Sequence, residues 1–248
     1  MVRLPFSYAI APSASGLDRY SGPLGLLCPE GFYPMDLDAH DVLIIIDVQN
    51  DYCPGGALAV PHGDEVIEPI HRVAPRFRHI VLTQDWHPPN HSSFAASHPG
   101  TQPYESIEFN YGEQTLWRPH CVQGSHGAEF HPELHLTQAE LILRKGFRPH
   151  IDSYSAFFEN DRATPTGLAG YLRERNLKRV FLAGLAYDYC VGYSALDARR
   201  LGLPAFVLRD ACRSIDLNGS VAAIEAEFAN AGVAVVDSAK LSASTFTT

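Results

Sequence analysis

From about residue 41 onward, short apolar runs alternate with longer amphipathic stretches. Val42-Leu43-Ile44-Ile45-Ile46 is a continuous aliphatic, largely β-branched run, too apolar for a half-exposed strand and suited to the centre of a parallel sheet. Helical spacing follows at Val66, Ile67, Ile70 and Val73, and a second strand is predicted over 79–83. Downstream, the pattern predicts a strand over 139–143, a helix over 166–176 and a strand over 180–183 that ends at Gly184. A helix then carries Val191, Ala195, Ala198 and Leu201, followed by a strand over 205–208, a helix over 220–231 stopped by Gly232, and a last strand over 233–236. This regular alternation predicts an α/β fold, a mainly parallel sheet covered by helices on both faces in three α/β/α layers.

Two stretches break the pattern. Residues 1–40 are rich in Pro, Gly and Ser and lack periodicity, so they read as an irregular arm ahead of a domain over 41–248; Met35 just before the first strand leaves open an over-extended start, and a wrap around a neighbouring subunit is the alternative. Residues 95–138 carry much Pro, Gly and His and few apolar runs, and an irregular loop of that length in a compact domain is usually functional.

Composition narrows the function classes. The chain has 248 residues, 46% of them hydrophobic and 19% charged, the make-up of one large globular domain with a sizeable core. A formal charge of −9 offers no basic stripe for nucleic acid or anionic lipid, which points to a small-molecule partner. No apolar run approaches a membrane span, and the N-terminus has no sustained apolar segment of the secretory type, which leaves the cytoplasm as the expected compartment. The five cysteines are widely spaced with no C-x-x-C pair, so reduced thiols are expected rather than a disulfide framework or a cysteine zinc site.

The candidate chemistry sits at strand ends. Asp47, Lys145 and Cys190 each follow the C-terminal end of a predicted parallel strand, and in a doubly wound sheet those ends converge on one edge. A thiol, a carboxylate able to take its proton and an ammonium that favours both anions form a nucleophilic set. Cys190 also falls where a strand turns into a helix, a position that favours thiolate. Asp85-x-His87 places two ligand types on one side of an extended segment, and His120 can complete a face; two His and one carboxylate suit Zn, Fe or Mn with positions left open.

The segments DVLIIIDVQNDYCPGGALAVPHGDEV, TQDWHPPNHSSF, WRPHCVQG, LRKG, DSYSAFF and GLAYDYCVGYSALDA occur in this order, and together they resemble the nicotinamidase branch of the isochorismatase-like cysteine hydrolases from about Asp41 to Asp237. The resemblance implies the isochorismatase-like hydrolase fold, a catalytic triad of Asp47, Lys145 and Cys190, and one divalent transition metal ion held by Asp85, His87 and His120. It also implies an oxyanion hole from the backbone N–H groups of Ala186 and Cys190, with a cis peptide between Leu185 and Ala186 and with Leu185 at the substrate. Tyr52, Trp117 and Tyr154 match the aromatic walls around a pyridine ring, while His91 lies near a position where some relatives supply a further ligand and is read as outside the immediate metal shell. The implied reaction is hydrolysis of nicotinamide to nicotinate and ammonia in NAD salvage, through a thioester on Cys190, with pyrazinamide also accepted and a homo-oligomeric assembly. Two positions depart from the family pattern: Tyr187 stands where Thr is common, adding bulk beside the oxyanion turn, and Tyr52 stands where Phe is usual. A rival substrate within the family is another small amide, a carbamoyl compound or maleamate; the isochorismatases proper are excluded because they lack the cysteine. Outside it, the His and Asp set would also suit a non-haem iron oxygenase, and a binding module would have lost part of the triad or ligand set, all of which is present here.

Overall fold

The computed structural model describes residues 35–242. Its centre is a six-stranded sheet built from β2 (Asp41–Ile46), β3 (His79–Asp85), β6 (Leu141–Lys145), β7 (Arg179–Leu185), β8 (Ala205–Arg213) and β9 (Ala234–Val236). They lie in the order β6-β3-β2-β7-β8-β9, and every neighbouring pair is parallel. Every residue of β2 is buried, as its unbroken aliphatic sequence requires of a central strand. Helices α1 (Ile67–Val73), α2 (Leu168–Glu174), α3 (Gly192–Arg200) and α4 (Ser220–Ala231) complete the three-layer α/β/α architecture. On one face Phe181 stacks on Phe206 at 4.7 Å and meets Phe77 edge-on; α3 and α4 pack on each other so closely that a Cβ at Gly192 would lie 2.6 Å from Ile224.

From β2 the chain moves outward through β3 to β6, then returns to the other side of β2 for β7, β8 and β9. β2 and β7 therefore flank the topological switch point, where connections diverge and a crevice opens beyond the C-terminal strand ends. Asp47 and Ala186 follow directly from those two strands.

Several element bounds differ from the sequence pattern. The third large-sheet strand is shifted two residues, to Leu141–Lys145, because β6 is an edge strand: burial alternates along it and ends on the buried Lys145, beside Asp85 in the ladder. β8 runs past Leu208 to Arg213, its pairing with β7 jumping from Leu182↔Val207 to Gly184↔Cys212; the bulge carries the polar Arg209 and Asp210, after which Ala211 and Cys212 return to the core. Within the loop expected over 95–138 lies an antiparallel hairpin of β4 (Ser106–Phe109) and β5 (Gly112–Thr115). The arm expected over 1–40 lies outside the described residues as far as residue 34; β1 (Met35–Asp36) pairs in parallel with β10 (Leu241–Ser242) beside the main sheet.

Gly184 at the bulge has φ of 113°, and a Cβ there would lie 2.2 Å from the Ile46 carbonyl oxygen. Backbone cannot yield as a side-chain tip can, so Gly184→Ala forces β2 and β7 apart at the switch point. A loss of about 3 kcal/mol or more is expected, the upper range for single substitutions, read as a fall in the urea midpoint; an unchanged midpoint would refute this account of the bulge.

Candidate active site

The site grows from the C-terminal strand ends. Lys145, the last residue of β6, is fully buried, and its Nζ lies 2.8 Å from Asp47 Oδ2 and 2.6 Å from Asp85 Oδ1. It donates to the Ser153 carbonyl at 2.8 Å and approaches Cys190 Sγ at 3.4 Å. Asp47 leaves β2 in the left-handed region, φ 50°, and its Oδ1 accepts a 2.7 Å hydrogen bond from the Thr83 hydroxyl. Among the described residues its Oδ2 has no hydrogen-bonding partner and meets Lys145 as an ion pair. Cys190 sits in a π-helical turn, Tyr187–Val191, that leads into α3; such turns concentrate at functional sites because they re-aim one side chain. Acceptor atoms of Asp47, Asp85 and Cys190 all lie within 4.8 Å of one another, so the sheet brings thiol, carboxylates and ammonium into one cluster.

Burial and charge set the protonation states. Burial pushes the Asp47 carboxyl up to about 6, against the pull of Lys145. Burial also penalises the Asp85 carboxylate, but Lys145, His87 and His120 outweigh it and hold the group down at about 2. The Lys145 ammonium, which burial disfavours, is kept charged by Asp47, Asp85 and Cys190. Burial pushes the Cys190 thiol well up, with Lys145 opposing, so the resting state is a thiol facing a carboxylate.

Asp85, His87 and His120 form a second buried group whose ligand atoms lie within 4.8 Å. His87 Nδ1 donates to the Gly146 carbonyl at 2.8 Å and His120 Nδ1 to the Arg118 carbonyl at 2.8 Å. With each Nδ1 carrying the proton, each Nε2 keeps its lone pair, the orientation that metal-bound imidazoles need. Burial lowers both imidazoles to about 4, so both are neutral at pH 7, and the donor set fits a divalent transition ion. Gly146 makes this close approach possible, because a Cβ there would stand 2.4 Å from the His87 ring. The Tyr52 hydroxyl donates to Asp85 Oδ2, which gives the departure from Phe a specific partner. His91 packs 4.5 Å from the His87 ring; its Nε2 donates to the Arg148 carbonyl at 2.9 Å and its Nδ1 accepts from the Ser93 hydroxyl at 2.7 Å, and with His87 and Asp152 it forms a further buried group whose ligand atoms lie within 4.8 Å of one another.

Above both groups lies a cleft of about 350 Å³, solvent space included, which Cys190, Ala186, Tyr52, Trp117 and Tyr154 help to line. The Leu185–Ala186 peptide is cis. Leu185 itself is fully buried behind the cleft rather than on its wall, because strand alternation turns its side chain toward Gly63. Tyr187 likewise faces away: its hydroxyl donates to Glu225 at 3.2 Å, and its ring packs edge-on against Phe228 beneath the Arg209 guanidinium, so its bulk does not enter the cleft. Sequence reasoning missed Tyr189, Asp152, Leu58 and Ile215, which also line it. Tyr189 meets Trp117 edge-on at 5.0 Å and Tyr154 at 5.5 Å, and its place just before Cys190 was the available signal. The buried amide of Gln49 was missed too; it pins Asp85 by accepting from its N–H at 2.8 Å and donating to its carbonyl at 2.9 Å.

Fold and cluster together define a hydrolase of the parallel α/β class. The chain belongs to the isochorismatase family: the isochorismatase domain model matches residues 41–240. A nicotinamidase of Acinetobacter baylyi is 52% identical over 196 residues, 79% of this chain and 92% of that one. The solved structure of an Acinetobacter baumannii nicotinamidase/pyrazinamidase superposes with a TM-score of 0.81 at 51% identity, covering 82% of this chain and 98% of that one. A Pyrococcus horikoshii pyrazinamidase solved in complex with zinc gives a TM-score of 0.64 at 35% identity, covering 80% and 99%.

Lys145→Met keeps the length of the side chain but leaves Asp47 and Asp85 buried without their cation. Removing one partner of a buried ion pair costs about 3–5 kcal/mol. Chemical denaturation is expected to show a destabilisation of that size; a variant as stable as the parent would mean that the cluster is not held together by charge.

Proposed function

We propose that this protein is a metal-dependent cysteine amidohydrolase that converts nicotinamide to nicotinate and ammonia in NAD salvage in the cytoplasm, and that it also accepts pyrazinamide. The observation that carries the reading is the meeting of Asp47, Lys145 and Cys190 with Asp85, His87 and His120 beneath one aromatic-walled cleft. The family membership and the nicotinamidases among the matched relatives support the same substrate.

In this mechanism Asp47 Oδ2 takes the proton of Cys190, and the thiolate attacks the carboxamide carbon. The carbonyl π electrons move to oxygen, where the N–H groups of Ala186 and Cys190 hold the negative charge. Asp47 returns the proton to the amide nitrogen, the C–N bond breaks, and ammonia leaves a thioester on Cys190. A water molecule then gives a proton to Asp47 and attacks the thioester; the C–S bond breaks, Cys190 recovers its proton from Asp47, and nicotinic acid leaves, giving its own proton to the released ammonia or to solvent to become nicotinate. Lys145 stays charged throughout and keeps whichever of thiolate and carboxylate is ionised in place. Trp117, Tyr154 and Tyr189 hold the ring so that the carboxamide meets the thiol. A divalent ion of the Zn, Fe or Mn type held by Asp85, His87 and His120 would supply a Lewis acid for the pyridine nitrogen and so orient the ring.

Ammonia release from nicotinamide by the purified protein tests the proposal, alongside Cys190→Ala and a sample stripped of metal by chelation. Turnover is expected from the parent and loss of at least about 10³-fold in Cys190→Ala, in keeping with removal of a covalent nucleophile; the stripped sample should recover on adding back Zn, Fe or Mn. No ammonia from metal-loaded parent would end the nicotinamidase reading, and full activity in Cys190→Ala would end the thioester.

The pH profile gives an independent check. Asp47 must be ionised to accept the thiol proton, so kcat/KM is expected to fall as pH drops through about 6, approaching tenfold per unit below it. A flat acid limb down to about pH 4, an ordinary carboxyl value, would remove Asp47 as the base.

A further inference from the structure

Of the twelve residues that line the cleft, eleven are buried, and Ile215 alone is only half-buried. It therefore forms the solvent-side lip, and it does so from an unusual support. Ile215 lies beyond the end of β8, in a connection where Asp216 and Asn218 both adopt left-handed backbone, φ 55° and 52°. The Asp188 carboxylate ties this connection to the turn that carries Cys190. Asp188, fully buried, accepts from the Ile215 N–H at 3.0 Å, the Asp216 N–H at 2.7 Å and the Ser220 hydroxyl at 2.6 Å. Asp188 is also two residues before Cys190 in the same π-helical turn. One side chain thus fixes the distance between the nucleophile's turn and the lip of the cleft.

The other walls are constrained by packing against the core or by the candidate chemistry. Tyr52, Asp85, His87, His120 and Cys190 are tied into the two buried groups, and Trp117, Tyr154 and Tyr189 brace one another. Ile215 belongs to neither buried group: it is aliphatic, packs only in part against the core and keeps part of its side chain toward solvent. We propose that Ile215 is the specificity-determining residue of this site, setting which substituents on the aromatic ring of a carboxamide are admitted, and that Asp188 is the positioning residue that holds it there. The inference rests on the amidase reading above and names the element of that site which selects the ring.

The test compares kcat/KM for nicotinamide with kcat/KM for its four ring-methylated isomers, in the parent, Ile215→Ala and Ile215→Phe. A single methylene in an apolar pocket is worth about 10–200-fold in discrimination. Ile215→Ala is therefore expected to raise the methylated-to-unsubstituted ratio about tenfold or more for at least one isomer, and Ile215→Phe to lower the same ratio. Opposite signs from opposite volume changes cannot come from general destabilisation, which would move both variants alike. If nicotinamide is turned over but no isomer's ratio moves by more than about twofold in either variant, well below a methylene's worth, Ile215 does not select the ring and the inference falls. If the metal-loaded parent turns over neither nicotinamide nor any isomer, the amidase reading fails first and this one with it. The positioning role is read from Ser220→Ala, which removes one of the three donors on Asp188: KM for nicotinamide should rise more than kcat falls, whereas an equal fall in kcat and kcat/KM would place Asp188 in service of the nucleophile alone.

Discussion

The enclosed ammonium of Lys145 is the constraint on which this structure turns. A charge with no solvent access persists only where fixed partners replace its hydration, and here they come from separate parts of the chain: Asp47 after β2, Asp85 at the end of β3, the Ser153 carbonyl, and Cys190 after β7. The partners converge only if β6, β3, β2 and β7 are consecutive in the sheet and end level with one another. The parallel register that sets Lys145 opposite Asp85 is thus both a packing fact about the fold and the electrostatic foundation of its site.

The same contact joins the two groups that look separate in the sequence. Asp85 gives Oδ1 to Lys145 and accepts the Tyr52 hydroxyl on Oδ2, while lying among the imidazoles of His87 and His120. A change at the candidate metal face therefore alters the field at Cys190, and the reverse holds as well. Gln49, hydrogen-bonded to both the N–H and the carbonyl of Asp85, fixes the backbone from which this shared carboxylate projects.

The apolar runs made the sheet legible, since four of its six strands lie close to where period and branching put them, and α4 spans Ser220–Ala231 with Gly232 closing it in the left-handed region. What escaped was set by tertiary context. β6 ends on a lysine that no hydrophobic scale would bury, and only the carboxylates of β2 and β3 make that end stable. β8 looks finished at Leu208, yet its ladder resumes after the bulge. The hairpin at 106–115 has few buried positions, so alternation is faint. Among site residues, those with chemistry in a motif were visible, whereas Gln49, Asp152 and Ile215 act by position, which spacing along the chain does not encode. Tyr187 shows the converse: a residue in a telling motif position whose side chain serves the core.

In the proposed mechanism the decisive proton moves from thiol to carboxylate. In water that transfer is uphill by about 4–5 pKa units, or about 6 kcal/mol. Burial lifts Asp47 to about 6 and so makes it the better base, but it lifts the Cys190 thiol as well, and desolvation by itself does not close the gap. Lys145 supplies what is missing. At rest its three N–H bonds point to Asp85, the Ser153 carbonyl and Cys190 Sγ, while Asp47 Oδ2 lies 2.8 Å away as an ion partner. Once the proton reaches Asp47, that carboxyl no longer needs the cation and Sγ, already 3.4 Å away, becomes the anion in its place. The net charge of the cluster is unchanged by the transfer; the negative charge passes from one neighbour of the ammonium to another within a fixed frame. In that mechanism the raised Cys190 thiol stays protonated, and hence less open to oxidation, until an acyl carbon is in place to receive the thiolate.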